Sequence, residues 1–263
     1  MPTRSLVAST WKVGESTVQV GGYYFSKILD LEEHLLREHF LKYNLRFYWK
    51  SDERENRCFE DFSQSYIRTY SNIAGYQLDR NKLETELLRL NREQPNFEFC
   101  APATDLNVSV SDSGPHAVAF RFNGAEVSAT ADWVVDSTGR GRFLTKRMDL
   151  ALENPICHGS SFLWVEGLVN VEKLTDLPPR EVRLKKERAS IGHAPLWLGT
   201  NHFVGEGFWF WVIPLQGKTS LGLVWDNALF RGEQVDTPQK LIAWACREFP
   251  LFQRDLPYRK ILD

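Results

Sequence analysis

Gly207–Pro214 reads GFWFWVIP and sets two tryptophans among two phenylalanines just ahead of a proline. In a strand, successive side chains point to opposite faces, so Trp209, Trp211 and Ile213 share one face and Phe208, Phe210 and Val212 the other. Both faces are apolar, which predicts cover on both sides. Such a strand is either plain core or, with its indoles outward from the core, one wall of a pocket that excludes water. Three other short segments carry groups suited to chemistry. Lys12–Ser16, KVGES, is a glycine turn with a carboxylate, in which Gly14 lets another group approach the backbone closely. Tyr76–Arg80, YQLDR, opens a helix with Asp79 as a candidate N-cap. Val134–Gly139, VVDSTG, reads as a strand running into a small-residue turn. Glu15 is either a site residue or an ordinary turn carboxylate. The six histidines follow no metal-ligand spacing, and His202 stands beside the aromatic run as a satisfied sheet histidine or a substrate-facing one.

These segments need a scaffold. Asp30 with Glu33 forms a capping-box pattern ahead of a stripe of Leu31, Leu35, Leu36 and Phe40, and residues 12–22 read as a glycine-bounded loop. Leu45, Phe47 and Trp49 alternate with Arg46, Tyr48 and Lys50, predicting a strand with the first set inward. Leu83, Leu87, Leu88 and Leu90 give the inward side of a helix after Asp79. From Phe97 to Val135 period-two alternation takes over, with Asn123-Gly124 a strong hairpin turn, so a meander is expected. Ala131–Asp136 is a further predicted strand. Ser160–Val169, Leu196–Phe203, Phe208–Leu215 and Thr219–Trp225 follow as strands, the last two joined by a hairpin around Gly217. Leu174–His193 reads as an exposed crossing loop. A last helix begins at Thr237-Pro238, with proline at its first turn, and stops at Pro250.

The 263 residues carry a net charge of −2, so nothing draws the chain globally to nucleic acid or membrane. The basic run Arg180, Arg183, Lys185, Lys186 and Arg188 has no nucleic-acid motif beside it and reads as a solvated loop. The four cysteines lack paired spacing, which fits a reducing compartment. The first residues lack the apolar core of a signal peptide, and no run reaches membrane-spanning length, so the expected location is the cytoplasm.

Taken in order, KVGES, YQLDR and VVDSTG resemble segments of flavin hydroxylases and flavin-dependent halogenases. Trp209–Pro214 matches W-x-W-x-I-P, the signature of flavin-dependent halogenases of the tryptophan-halogenase kind, and this resemblance favours the pocket wall. It implies an α/β fold of the FAD/NAD(P)-binding type, α+β in the portion present, with a large antiparallel substrate sheet. It divides the chain into a partial FAD-binding domain over 1–150 with a meander inserted at about 97–130, a substrate sheet over 151–235, and a helix over 236–263 leading back. Leu41–Phe47, LKYNLRF, matches the family's lysine segment, so Lys42 is the implied catalytic residue; the alternative is a surface lysine favoured by a helix end. Asn44 stands where many relatives have glycine. The implied cofactor contacts are Val13, Gly14, Glu15, Ser16, Arg80, Asp136 and Gly139, and Trp209, Trp211, Ile213 and Pro214 line the tunnel.

The chemistry implied is FAD-dependent. Reduced flavin, supplied by a separate flavin reductase, gives a hydroperoxide that oxidises halide to hypohalous acid, and Lys42 passes the halogen to an electron-rich aromatic small molecule, free or carrier-bound. A lysine ammonium can donate a hydrogen bond to hypohalous acid, and a desolvated one can lose its proton and become a nucleophile. The family is roughly twice this long, and neither its G-x-G-x-x-G nor its G-D-A segment occurs here. The sequence therefore reads as a central fragment, with weak FAD binding, an exposed edge at Val134–Asp136 and marginal folding expected. Two other functions fit the same residues: a flavin monooxygenase or dehydrogenase without halide chemistry, and a non-enzymatic ligand-binding remnant.

Overall fold

The computed structural model describes residues 12–67, 71–184 and 195–262. The chain divides into two compact units: the described residues up to Glu86 together with those from Ile156 on, and Leu87–Pro155.

In chain order the regular elements are helices α1 (Gln19–Tyr23) and α2 (Glu32–Glu38), strands β1 (Phe40–Lys42), β2 (Leu45–Trp49), β3 (Ser63–Tyr66) and β4 (Gly75–Gln77), and helix α3 (Arg80–Arg92). Then come β5 (Ala103–Ser109), β6 (His116–Phe122), β7 (Ala125–Ala131), α4 (Phe143–Arg147), β8 (His158–Glu166) and α5 (Pro179–Leu184). The chain closes with β9 (Thr200–Gly205), β10 (Phe208–Leu215), β11 (Lys218–Asp226), α6 (Pro238–Glu248) and β12 (Ile261–Leu262). The first unit is built on a seven-stranded sheet in the order β12-β8-β11-β10-β9-β2-β3. Every pair is antiparallel except β2 with β9. This is the mixed α/β architecture with a large antiparallel sheet that the sequence predicts.

β10 covers the GFWFWVIP octet from Phe208 onward, and its two faces separate as alternation requires. Phe210 and Val212 enter the main core with Phe203, Leu223, Phe249 and Phe252, beneath α6. Trp211, Ile213 and Leu215 form a second cluster on the opposite face, flanked by Phe162 and Val224. Helix α6 follows its signals: Thr237 accepts from the Lys240 amide, Pro238 sits in the first turn, and Leu241, Trp244 and Ala245 are buried.

The second unit contains the expected meander, with sheet order β5-β6-β7. Asn123 and Gly124 take φ of 51° and 81°, the left-handed pair of a tight hairpin. The predicted strand at Ala131–Asp136 does not form. β7 ends at Ala131, no described strand pairs with the residues beyond it, and Trp133 and Val135 are 86% and 83% exposed.

Five other expectations are corrected. Residues 12–22 are not a loop throughout, since Gln19–Tyr23 is helical and continues as a π-helix over Tyr24–Ile28. The capping box is absent because Asp30 takes a left-handed φ of 54°; Leu31 caps α2 without a side-chain bond, and Leu36 faces out. In β2 the alternation holds but the faces are reversed: Arg46 and Tyr48 are buried, while Trp49 is exposed. The polar face is tolerated inside because Arg46 donates to Tyr48 and Gln64 and stacks 4.3 Å over Tyr66, and Tyr48 donates to Asn201. Leu196–Leu198 is a 3-10 turn, and strand β9 starts only at Thr200. Of the expected crossing loop, Pro179–Leu184 is helical; Lys185, Lys186, Arg188 and His193 lie outside the described residues.

Candidate active site

A small layer lies against the indole face of the large sheet. It consists of β1, β4 and the KVGES turn with the residue that follows it. β1 and β4 pair antiparallel, with Lys42 opposite Gly75. Ser16 bridges to Gln77, and Thr17 donates its amide to the Tyr76 carbonyl at 2.9 Å. The Thr17 hydroxyl receives the Tyr76 amide at 2.8 Å. Arg80 then clamps the turn, donating to the Val13 carbonyl at 2.7 Å and to Glu84 at 2.6 Å. Lys12 pairs with the same Glu84.

Two polar networks pin this layer to the sheet. In one, Ser16 and Gln77 both meet the Thr200 hydroxyl, each at 3.0 Å. In the other, Glu15 is only 1% exposed and accepts from the indole N–H of Trp164 at 3.0 Å. It also accepts from the Gly14 amide and from Ser220. Burial pushes the Glu15 carboxyl up, while the bonds from Trp164, Ser220 and the backbone hold it down. Ser220 in turn accepts from the Trp211 indole at 3.0 Å. The first motif is thus joined to the tryptophan motif through Ser220. Trp164 lies 149 positions from Glu15, and nothing in the sequence ties them.

Lys42 sits at the outer edge of this layer. Its ammonium donates to the Thr17 carbonyl at 3.0 Å, and it forms no ion pair among the described residues. Burial pushes its pKa below the usual lysine range. It lines a cavity of about 300 Å³ with Thr17, Val18, Asn44, Ile73 and Gly75. Asn44 accepts from the Leu45 and Ile67 amides and donates to the Ile67 carbonyl, so it fastens the rim of that cavity.

Beside it runs a row of rings on one sheet face. Phe47 stacks on His202 at 5.1 Å, His202 meets Trp209 edge-on at 5.1 Å, and Trp209 lies 5.7 Å from Trp211. Trp209 is 38% exposed and Trp211 5%, so the row opens outward at Trp209 and is sealed at Trp211. Ile213 and Pro214 continue the strand, buried. Burial holds the His202 imidazole down at about 4, and the nearby Lys42 charge adds to this. Thr17, Phe47, Trp164, Gln77, Thr200 and Ser220 are further residues of this arrangement that the sequence reading did not single out as site residues.

The structure therefore brings together Val13, Gly14, Glu15, Ser16, Arg80, Lys42, Trp209, Trp211, Ile213 and Pro214. Asp136 and Gly139 belong to the second unit. There Asp136 accepts from the Thr138 and Leu144 amides at 2.9 and 2.8 Å, capping α4, and these bonds lower its pKa. Gly139 takes a φ of +57° in the same turn, with open space around it.

The turn carries apolar surface that a flat ring could lie against. Gly14 has a φ of +101°, and Val13 and Val18 present exposed apolar surface of 41% and 66% beside it. It offers nothing of a phosphate cradle: the α3 N-terminus is already capped by Asp79, which accepts from the Asn81 amide at 3.0 Å, and Arg80 is held by Glu84.

A sheet of this order, layered with such a turn, has the fold of FAD-dependent halogenases and related flavoproteins. Halogenase PltM superposes with a TM-score of 0.73 at 16% identity over 96% of this chain and 51% of its own, and a second PltM structure is a complex with phloroglucinol and FAD. A flavoprotein/dehydrogenase from Cytophaga hutchinsonii matches at a TM-score of 0.65 and 17% identity, over 95% of this chain and 56% of that one. In sequence the chain resembles the flavin-dependent halogenase chlA of Dictyostelium discoideum, with 24% identity over 273 aligned positions, 96% of this chain and 43% of that protein. No family model matches. The chain spans less than half the length of this curated relative and about half that of the solved structures. No helix among the described residues is long and apolar enough to cross a membrane.

Proposed function

We propose that this chain carries the halogen-transfer site of an FAD-dependent halogenase acting on an electron-rich aromatic substrate. The observation that carries the reading is Lys42: a partly buried amine with depressed pKa, no carboxylate partner among the described residues, and a cavity in front of it. A lysine in that state can donate a hydrogen bond to hypohalous acid or, once deprotonated, take up its halogen. FAD, when bound, supplies the oxidant that converts halide into hypohalous acid. Val13, Gly14 and Ser16 would border its ring, and Glu15 and Arg80 hold that turn in shape. Asp136 and Gly139, in the second unit, are assigned to the same cofactor through the family resemblance. Trp209, Trp211, Ile213 and Pro214 fill the sheet face, which keeps bulk water from the oxidant. The reading carries with it a flavin reductase, a halide ion, an arene either free or carrier-bound, and a cytoplasmic setting that suits the four free cysteines.

The test supplies the chain with FAD, a flavin reductase, bromide and a panel of phenols and indoles, and analyses products by mass spectrometry. Brominated product should appear and fall by about 100-fold or more in Lys42→Met, the scale of a lost catalytic group. Hydroxylated product, or bromination that survives Lys42→Met, would favour the monooxygenase reading suggested by the match to a flavoprotein/dehydrogenase. No redox product of either kind would count against both.

A further inference from the structure

His202 has a tautomer that its surroundings dictate. Its Nδ1 lies 3.3 Å from the Arg46 carbonyl oxygen. A carbonyl only accepts, so the proton sits on Nδ1 and Nε2 keeps a lone pair. No described residue donates to Nε2, and it is not among the enclosed unpaired atoms. The ring cannot turn freely to change this, since Phe47 covers one face and Trp209 abuts it, both at 5.1 Å. The result is a fixed, neutral acceptor set in a row of aromatic rings, within electrostatic range of Lys42. An acceptor held this way is unsatisfied by an apolar arene and satisfied by one that carries a donor.

We propose that His202 is the hydrogen-bond acceptor and proton acceptor for a substrate ring bearing an O–H or N–H, so that this chain selects phenols or pyrrole-type rings over their methylated counterparts. This deepens the halogenase reading and rests on it. For a phenol, the ring carbon attacks the halogen of hypohalous acid, or of the Lys42 amine that has taken it up. The carbon–halogen bond forms as the oxygen–halogen or nitrogen–halogen bond breaks, its electron pair leaving on hydroxide or the amine. The hydroxyl proton of the cationic ring passes to His202 Nε2. The dienone so formed loses its ring proton to water and becomes aromatic again, and the imidazolium returns its proton to the departing hydroxide or amine. A weakly basic imidazole suffices, because the hydroxyl of a cationic ring is far more acidic than that of a neutral phenol.

The experiment is binding to the 263-residue chain without cofactor or halide. Phenol, anisole, pyrrole and N-methylpyrrole are titrated while tryptophan fluorescence is followed, Trp209 being the adjacent reporter. The donor-bearing member of at least one pair should bind about tenfold tighter, one hydrogen bond's worth, and that preference should vanish in His202→Phe. Against the case in which His202→Phe does not fold, the imidazole ¹⁵N resonances of the native chain give a second readout: Nε2 alone should move on adding phenol. Equal affinity within both pairs, a preference that persists in His202→Phe, an unmoved Nε2 signal, or no binding by any probe would each overturn the proposal. Failure of bromination with the binding preference intact would instead count against the halogenase reading.

Discussion

Trp211 owes its position to what is missing across the sheet from it. It pairs in register with Gly222, and a Cβ built there would meet Cζ2, Cη2 and Cε2 of the indole at 2.1, 2.3 and 2.6 Å. The indole therefore lies flat across the neighbouring strand in space that only glycine leaves. Two further cross-strand pairs repeat the device, Gly205 under Phe208 and Gly159 under Trp225, with closest approaches of 2.2 and 2.4 Å. Gly222→Ala forces Trp211 out of this slot. The added methyl itself favours folding by about 0.4–1 kcal/mol through the unfolded chain, because the backbone at Gly222 is not left-handed. Against this, overpacking costs about 1–3 kcal/mol, and the Trp211–Ser220 bond, worth about 1 kcal/mol, is lost if the ring swings away. The expected net is a destabilisation of about 1–3 kcal/mol.

Urea unfolding followed by near-ultraviolet circular dichroism reads both consequences. The midpoint should fall, and the indole bands should change in the native baseline because Trp211 has moved. Gly21→Ala is the control, since a Cβ placed there meets no atom nearer than 3.9 Å and the site is helical. That substitution should stabilise by about 0.5–1 kcal/mol. If Gly222→Ala matched the control in stability with unchanged indole bands, the cross-strand packing argument would be wrong.

Gly22→Ala should be worse tolerated than Gly21→Ala by well over about 1 kcal/mol, because its Cβ would lie 2.1 Å from the Ala74 carbonyl oxygen, which is backbone and cannot rotate aside; thermal melts of the two variants decide it. Stability should decline as pH falls from 6.5 toward 4, because buried His39 and His202 are both held at about 4 and stay neutral in the fold while their unfolded counterparts protonate. Each contributes about 3 kcal/mol that is complete above pH 6.5 and lost through that window, so His202→Phe should flatten the decline by about that amount in urea midpoints taken at pH 7.5 and 4.5. Trp164→Phe removes a donor from buried Glu15 and should cost about 1–3 kcal/mol, while Lys218, stacked 3.9 Å over the Trp164 ring and paired with Asp79, keeps its aromatic platform. Loss equal to a full Trp164→Ala truncation would mean that packing, not the hydrogen bond, sets the value.

What was legible in the sequence follows from the range of the interactions involved. Strand β10, the Asn123-Gly124 hairpin, the Asp79 cap and helix α6 are fixed by neighbours a few positions apart, and local pattern found them. Strand β2 shows where pattern fails. Alternation identified the strand, but which face is inward depends on Gln64, Tyr66 and Asn201, partners from β3 and β9 that make a buried arginine tolerable. Asp30 carried a capping signal that its left-handed backbone cancels. The sequence reading expected Val134–Asp136 to be a strand with an exposed edge; with no described partner to pair with, the segment forms no strand at all.

The site divides in the same way. Motif matching picked Lys42, the glycine turn and the tryptophans singly, yet their relation is carried by side chains that it did not single out. Thr17 receives the Lys42 ammonium, Ser220 joins Trp211 to Glu15, and Thr200 ties Ser16 and Gln77 to the sheet. Glu15 illustrates the consequence. As a residue of the cofactor turn it invites a role at the cofactor, but its carboxylate is turned inward to an indole and a hydroxyl. Its effect on chemistry at Lys42 therefore runs through position: it fixes the turn whose following residue, Thr17, holds the amine. Substituting Glu15 should then alter Lys42 reactivity and stability together, whereas substituting Lys42, which only donates to a backbone carbonyl, should change reactivity with little effect on folding.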